Sequence, residues 1–140
     1  KLKIKPGAYT GLKLRAKGKG EKGRGGKTGD LFITIHVSPH PVYERKGNDL
    51  YMEAHVDLFT ALLGGKQEIQ TLSGRVNITI PEGMQSGKQI RLKGKGMPVY
   101  GKSSHGDLYV KLIVKLPEKL TREQKELIKK LKDSFQKAYV

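Results

Sequence analysis

The chain of 140 residues has no Cys and no Trp, few aromatic residues (6%), and only 13 Asp and Glu against 28 Lys and Arg. Without Cys, a disulfide-stapled scaffold, a thiolate zinc site and a cysteine nucleophile are excluded within these residues. Long apolar runs are missing too, since nothing approaches the roughly 18 residues of a membrane-spanning helix. No signal-peptide pattern opens the chain, so the expected location is cytoplasmic, with no membrane partner. The shortage of acids leaves a net charge of +15, which first points to nucleic acid or another acidic partner. Hydrophobic residues make up 36% of the chain, enough to argue against disorder. A chain of this length suits one ordinary domain or two small ones and buries roughly two-thirds of its unfolded surface. It opens Lys1-Leu2-Lys3, without Met, and reads as a piece of a longer protein.

The charge is not spread evenly. Residues 1–29 carry +9, residues 30–82 carry −3, residues 83–115 carry +6 and residues 116–140 carry +3. Two basic blocks are thus separated by a mildly acidic stretch, unlike a basic tail that concentrates charge at one end.

The two blocks align with each other. Gly11-Leu12-Lys13-Leu14-Arg15-Ala16-Lys17-Gly18-Lys19-Gly20 matches Gly87-Lys88-Gln89-Ile90-Arg91-Leu92-Lys93-Gly94-Lys95-Gly96. Gly29-Asp30-Leu31-Phe32-Ile33 then matches Gly106-Asp107-Leu108-Tyr109-Val110, with one extra residue in the second loop. Two copies are too few for a solenoid, so a duplicated domain is the simpler reading.

Period-2 patterning dominates around and between the copies. Leu31 to Val37, Leu50 to Leu58, Val76 to Ile80 and Leu108 to Leu116 all alternate apolar with other residues, predicting strands with one buried face. Gly- and Pro-rich stretches at 18–29, 38–41 and 94–106 supply turns. Two helices interrupt this pattern. A short one from Asp57 to Leu63 ends at Gly64-Gly65, a glycine C-cap. A longer one from about Arg122 to Ala138 opens with Thr121 and Gln124 at capping-box spacing. Leu127, Ile128, Leu131, Phe135 and Ala138 form its apolar stripe, and Glu126 and Lys130 are placed to pair at i,i+4.

Sharper motifs fail on inspection. Gly18-Lys19-Gly20-Glu21-Lys22-Gly23 has the form GxGxxG, yet neither a following helix nor a ribose-binding acid stands where a dinucleotide site needs them. Gly26-Lys27-Thr28 resembles the end of a phosphate loop, but Glu21 occupies the place of its first Gly. His36, His40, His55 and His105 show no ligand spacing, so no metal and no cofactor are expected. Asn77-Ile78-Thr79 is a sequon within a predicted strand, and chance explains it. No nucleophile, base and orienting group assemble into a motif, so no catalytic residue is named and no enzyme is expected.

The repeat and the residues between its copies resemble the C-terminal region of DnaJ-type co-chaperones, the J-domain proteins. The resemblance runs in order through Ile4-Lys5-Pro6-Gly7, the first repeat and His40-Pro41-Val42-Tyr43-Glu44-Arg45. It continues through Gly47-Asn48-Asp49-Leu50-Tyr51, Ala61-Leu62-Leu63-Gly64-Gly65 and Thr71-Leu72-Ser73-Gly74. Ile80-Pro81-Glu82-Gly83 and the second repeat, with Met97-Pro98 after it, complete the series. It implies a mostly β fold of two similar β-sandwich domains, the first incomplete, followed by a C-terminal helix. Residues 1–39 would be the second half of domain I, 40–118 domain II, and 119–140 the dimerisation helix.

The same resemblance implies an activity. Such proteins capture non-native polypeptide and deliver it to the seventy-kilodalton heat-shock chaperone, DnaK in bacteria. Val42 and Tyr43 are then the expected client-binding residues, with Tyr43 where the family often has Phe. Leu127, Ile128, Leu131 and Phe135 would form a homodimer seam. The partner chaperone ends in an acidic tail, for which Lys1, Lys3, Lys5 and Lys13 are the candidate contacts. His40-Pro41 is followed by Val42, so the His-Pro-Asp triplet of a J domain is absent here. The alternative is a basic nucleic-acid-binding protein of duplicated β domains, disfavoured because no aromatics interleave with the Lys residues for base stacking.

Overall fold

The computed structural model describes residues 3–21 and 28–138. Among these residues eight strands and two helices follow in chain order, and the fold is mostly β. The first repeat forms a hairpin of β1 (Lys13–Ala16) and β2 (Leu31–Thr34), paired antiparallel with Leu14 opposite Ile33. Alternation predicts a strand to Val37, but regular pairing stops at Thr34. Gly11, at φ +95°, turns the opposing chain away there. Ile35 still exchanges backbone bonds with Leu12 and Gly11, and the Val37 N–H is held by the Thr10 hydroxyl at 3.0 Å.

The rest of the chain builds a two-layer unit. One layer is a four-stranded sheet of β3 (Glu44–Lys46), β4 (Asp49–Asp57), β8 (Leu108–Lys115) and β7 (Lys88–Leu92), in that spatial order. Its central pair, β4 and β8, is parallel, with Leu50 opposite Leu108 and Val56 opposite Val114. A parallel pair cannot be closed by a tight turn. The long crossover between them carries α1 (Leu58–Leu63), the hairpin β5 (Gly65–Thr71) and β6 (Gly74–Ile80), and β7.

Within that crossover, α1 and the β5–β6 hairpin cover one face of the sheet. Leu50, Val56, Leu108, Val110 and Leu112 from the sheet meet Ile69, Ile80 and Ala61 in a single core, with Tyr43 and Met84 at its margin. The strand alternation read from the sequence is the cause, since it places every second residue of β4 and β8 on this covered face. Burying each of the larger aliphatic side chains contributes about 1.5–3 kcal/mol.

Both helices have the ends their sequences call for. The Asp57 side chain accepts the Thr60 N–H at 3.2 Å, which starts α1 at Leu58 directly after β4 ends at Asp57. Gly64, at φ +83°, closes it, its N–H reaching the Thr60 carbonyl. Helix α2 (Arg122–Ala138) begins in a reciprocal capping box. Thr121 N–H donates to Gln124 Oε1 at 2.8 Å, and Gln124 N–H donates to Thr121 Oγ1 at 3.1 Å. One pairing on α2 differs from expectation. Glu126 Oε1 lies 3.6 Å from Lys129 Nζ, at i,i+3, rather than pairing with Lys130. Both spacings share one helix face, so either lysine is within reach.

Candidate functional site

The duplicated hairpins repeat their chemistry as well as their sequence. In the first, Asp30 accepts the Gly18 N–H at 3.0 Å and the Arg15 Nε–H at 2.6 Å. In the second, Asp107 accepts the Gly94 N–H at 2.9 Å and the Arg91 Nε–H at 2.7 Å. Each carboxylate therefore clasps the loop that leaves its own hairpin. The turn N–H is the larger cause, with the guanidinium adding to it, and together they hold both carboxyls below the ordinary value of 3.8.

The Lys-Gly-Lys-Gly runs are the turns of these clasps. Gly18 and Gly94 share a φ of +74°, and the N–H of Gly20 and of Gly96 each reach a loop glycine carbonyl at 2.8 Å. A Cβ at Gly96 would stand 2.6 Å from the Asp107 carbonyl oxygen and 2.7 Å from that of Asn48. Backbone geometry thus explains the glycines without a bound phosphate. Lys22 to Lys27, where the phosphate-loop motif was weighed, lie outside the described residues, as does Lys1.

A groove opens where the two parts of the chain meet. It has a volume of about 1490 Å³, and its apolar lining includes Tyr9, Pro39, Val42, Leu72, Met97 and Tyr100. Val42 and Leu72 are each about half exposed at its rim. Tyr43 also lines the groove, but only 9% of it is exposed and it belongs to the core. Its hydroxyl donates to the Gln70 carbonyl, so that polar group is directed into the β5–β6 hairpin. Burial raises the phenol above its ordinary pKa. The turn before it is set by His40, whose Nδ1 accepts the Val42 and Tyr43 N–H groups at 3.0 and 3.3 Å. The His40 ring leans on Tyr43 with centroids 5.1 Å apart.

Arg45 closes the end of the groove, and nothing in the sequence marked it apart from the run it sits in. Its Nη1 and Nη2 donate to the Ala8 and Gly7 carbonyls at 2.6 and 3.0 Å, and its Nε to the Gly47 carbonyl at 2.8 Å. One guanidinium therefore ties the N-terminal segment to the turn after β3. Gly7 fits there because it is glycine, with a φ of +91° and a Cβ position only 2.2 Å from the Pro98 carbonyl oxygen. Tyr9 adds an edge-on contact with Tyr100, at 6.3 Å between centroids.

The remaining expected residues are dispersed. Lys3 and Lys5 are exposed in the N-terminal segment, while Lys13 lies on β1 opposite Thr34. Leu127, Ile128, Leu131 and Phe135 are between 42% and 59% exposed, so the α2 stripe is uncovered in the single chain. The outer face of the four-stranded sheet carries stacked Tyr51 and Tyr109 rings, with Lys46 Nζ 4.9 Å from the Tyr51 ring. Charges on that face alternate in sign, Glu53 opposite Lys111 and Asp57 opposite Lys115, so it is not a uniformly basic platform. No described helix is long and apolar enough to cross a membrane.

These features define a class, that of β scaffolds with a repeated hairpin clasp, an apolar groove and an amphipathic C-terminal helix. The family model for the DnaJ C terminal domain matches residues 1–117, and the chain belongs to that family. It is 48% identical over 129 residues to a "Chaperone protein DnaJ" of Sinorhizobium medicae (strain WSM419), covering 91% of this chain and 34% of the relative. A "Chaperone protein DnaJ" of Burkholderia mallei (strain SAVP1) is 46% identical over 135 residues, covering 96% of this chain and 36% of the relative. The chain thus spans about a third of the length of these curated relatives.

Proposed function

We propose that the chain is the client-binding and dimerisation part of a chaperone that holds unfolded polypeptide and passes it to the seventy-kilodalton heat-shock chaperone in the cytoplasm. The observation that carries this reading is the groove. Its rim exposes Val42 and Leu72, and its walls combine aromatic and apolar residues with charged ones such as Glu53 and Lys111. An extended segment of non-native chain offers apolar side chains on alternate positions, and such a groove removes them from water without demanding one sequence. Val42 is the outer contact; Tyr43 supplies the floor and, through Gln70, the position of the β5–β6 hairpin.

Main-chain pairing is the second component. Strand β7 ends the four-stranded sheet and, among the described residues, has β8 alone as neighbour, so its outer edge is a template for an added strand. Lys88 and Arg91 on that strand restrict indiscriminate pairing between copies.

Domain limits at 1–39, 40–118 and 119–140 belong to the same reading, with the first domain supplied in part by the longer protein. The α2 stripe of Leu127, Ile128, Leu131 and Phe135 then seals against a second copy, because a solitary amphipathic helix of 17 residues is marginal in water. Lys1, Lys3, Lys5 and Lys13 contribute to recognition of the partner's acidic tail. The direct test is light scattering of a chemically unfolded client diluted into buffer with and without the chain. Delayed aggregation is expected, with Val42→Glu abolishing the delay while circular dichroism stays unchanged. No delay at stoichiometric excess removes the holding role.

A further inference from the structure

One imidazole holds the segment that carries Val42 and Tyr43. Nδ1 of His40 accepts the Val42 N–H at 3.0 Å and the Tyr43 N–H at 3.3 Å, and its ring lies on Tyr43 with centroids 5.1 Å apart. Pro41 has no N–H to offer and biases His40 away from helical backbone, so Val42 and Tyr43 supply the first donors a side chain at position 40 can collect. The arrangement is that of an Asx turn, with an imidazole nitrogen where a carboxamide oxygen usually stands. Val42 leaves this turn at the groove rim, 52% exposed, while Tyr43 is fastened below it by its hydroxyl on the Gln70 carbonyl.

An imidazole differs from a carboxamide in that it can lose its acceptor. The neutral ring accepts at Nδ1 when its proton is on Nε2; in the cation both nitrogens are donors. Protonation therefore sets an N–H and a positive charge against two backbone N–H groups. Among the described residues no carboxylate forms an ion pair with His40 that would compensate this. The charged groups lining the groove with it are Glu44 and Arg45 of β3, Glu53 of β4 and Lys111 of β8. Arg45 is already committed to the carbonyls of Gly7, Ala8 and Gly47. Carboxylate, lysine and arginine groups ordinarily keep their charge between about pH 5.5 and about pH 7.5, the range in which an imidazole changes its own. His36, His55 and His105 are not in the lining, and His40 is exposed, so a proton reaches it without the fold opening.

We infer that His40 is a positioning residue for client holding: its neutral ring sets Val42 at the groove rim, and its protonation releases that segment and the client with it. The inference rests on the client-holding reading above and adds a pH-dependent release to it.

The test is the affinity of the whole chain for a tetramethylrhodamine-labelled peptide of alternating Leu and Gln, which has no titrating side chain. Anisotropy is read at about pH 7.5 and about pH 5.5. The unaltered chain is expected to bind about fivefold more weakly at the lower pH, as for the loss of a hydrogen-bonded turn. His40→Ala is expected to bind weakly at both. His40→Asn places Oδ1 where Nδ1 stands and does not titrate, so it should rescue the loss seen in His40→Ala and give the same affinity at both pH values. An equal fall with pH in His40→Asn, or no fall in the unaltered chain, overturns the proposal. Backbone NMR of the unaltered chain without peptide reads the turn by itself, whatever the variants do. The Val42 and Tyr43 amide resonances should move together with the His40 ring protons, and amides that stay fixed while the ring titrates overturn the proposal. No peptide binding at either pH overturns the client-holding reading instead, and the release with it.

Discussion

At the scale of single residues, the two aspartates do what the lysine-rich runs first seemed to promise. Asp30 and Asp107 each take a glycine N–H and an arginine, and both carboxyls are held below the ordinary 3.8. A folded-state pKa below the unfolded one gives stability that is present above about pH 4 and lost as pH falls through the lowered value. Asp107→Asn keeps an acceptor for Gly94 but loses the charge. It should therefore lower the melting temperature at neutral pH and flatten its decline under acid, as measured by calorimetry across pH 2 to 7 at roughly one-unit steps. Leu108, fully buried on the central strand, sets the opposite kind of limit. Leu108→Ala should cost about 2–5 kcal/mol in urea unfolding, because the two layers close on it from both sides. A loss below about 1 kcal/mol would mean that the core collapses around the gap.

At the scale of elements, the sequence was most informative where period and cap agree. Helix α2 starts at the residue its capping box implies, and α1 ends at its glycine. The strands on the core side of the sheet were legible from Leu50, Val56, Leu108 and Val110, since burial on one face imposes alternation. Strand β5 was not, because Lys66, Gln67, Glu68 and Gln70 leave Ile69 as its single large aliphatic contact with the core. The end of β2 was misread because a glycine just before the partner strand, not on β2 itself, turns the opposing chain away. The groove was legible only in Val42 and Tyr43. Arg45 and Tyr100 act through backbone carbonyls and packing across the fold, which no local pattern records. The uncovered stripe of α2 leads to a prediction at this scale. Leu131→Asp should convert a sedimenting dimer to a monomer with its β signal intact, and persistence of the dimer would exclude the stripe as the seam.

At the scale of the whole molecule, the duplicated hairpins and the joint between them matter more than the net charge. The charge of +15 comes mainly from the two basic blocks that contain these hairpins, and the sheet face that could have served as a nucleic-acid platform alternates in sign. Arg45 and Gly7 then join the N-terminal segment to the second unit so that the groove exists before any ligand arrives. A preformed groove limits the ordering cost of binding to the ligand's own. The measurement that bears most directly on this account is backbone NMR of the isotope-labelled chain titrated with an extended apolar peptide. The account predicts shifts centred on Val42, Tyr43, Leu72 and Tyr100, with β7 responding at its free edge. Shifts confined to the α2 helix, with the groove silent, would contradict it.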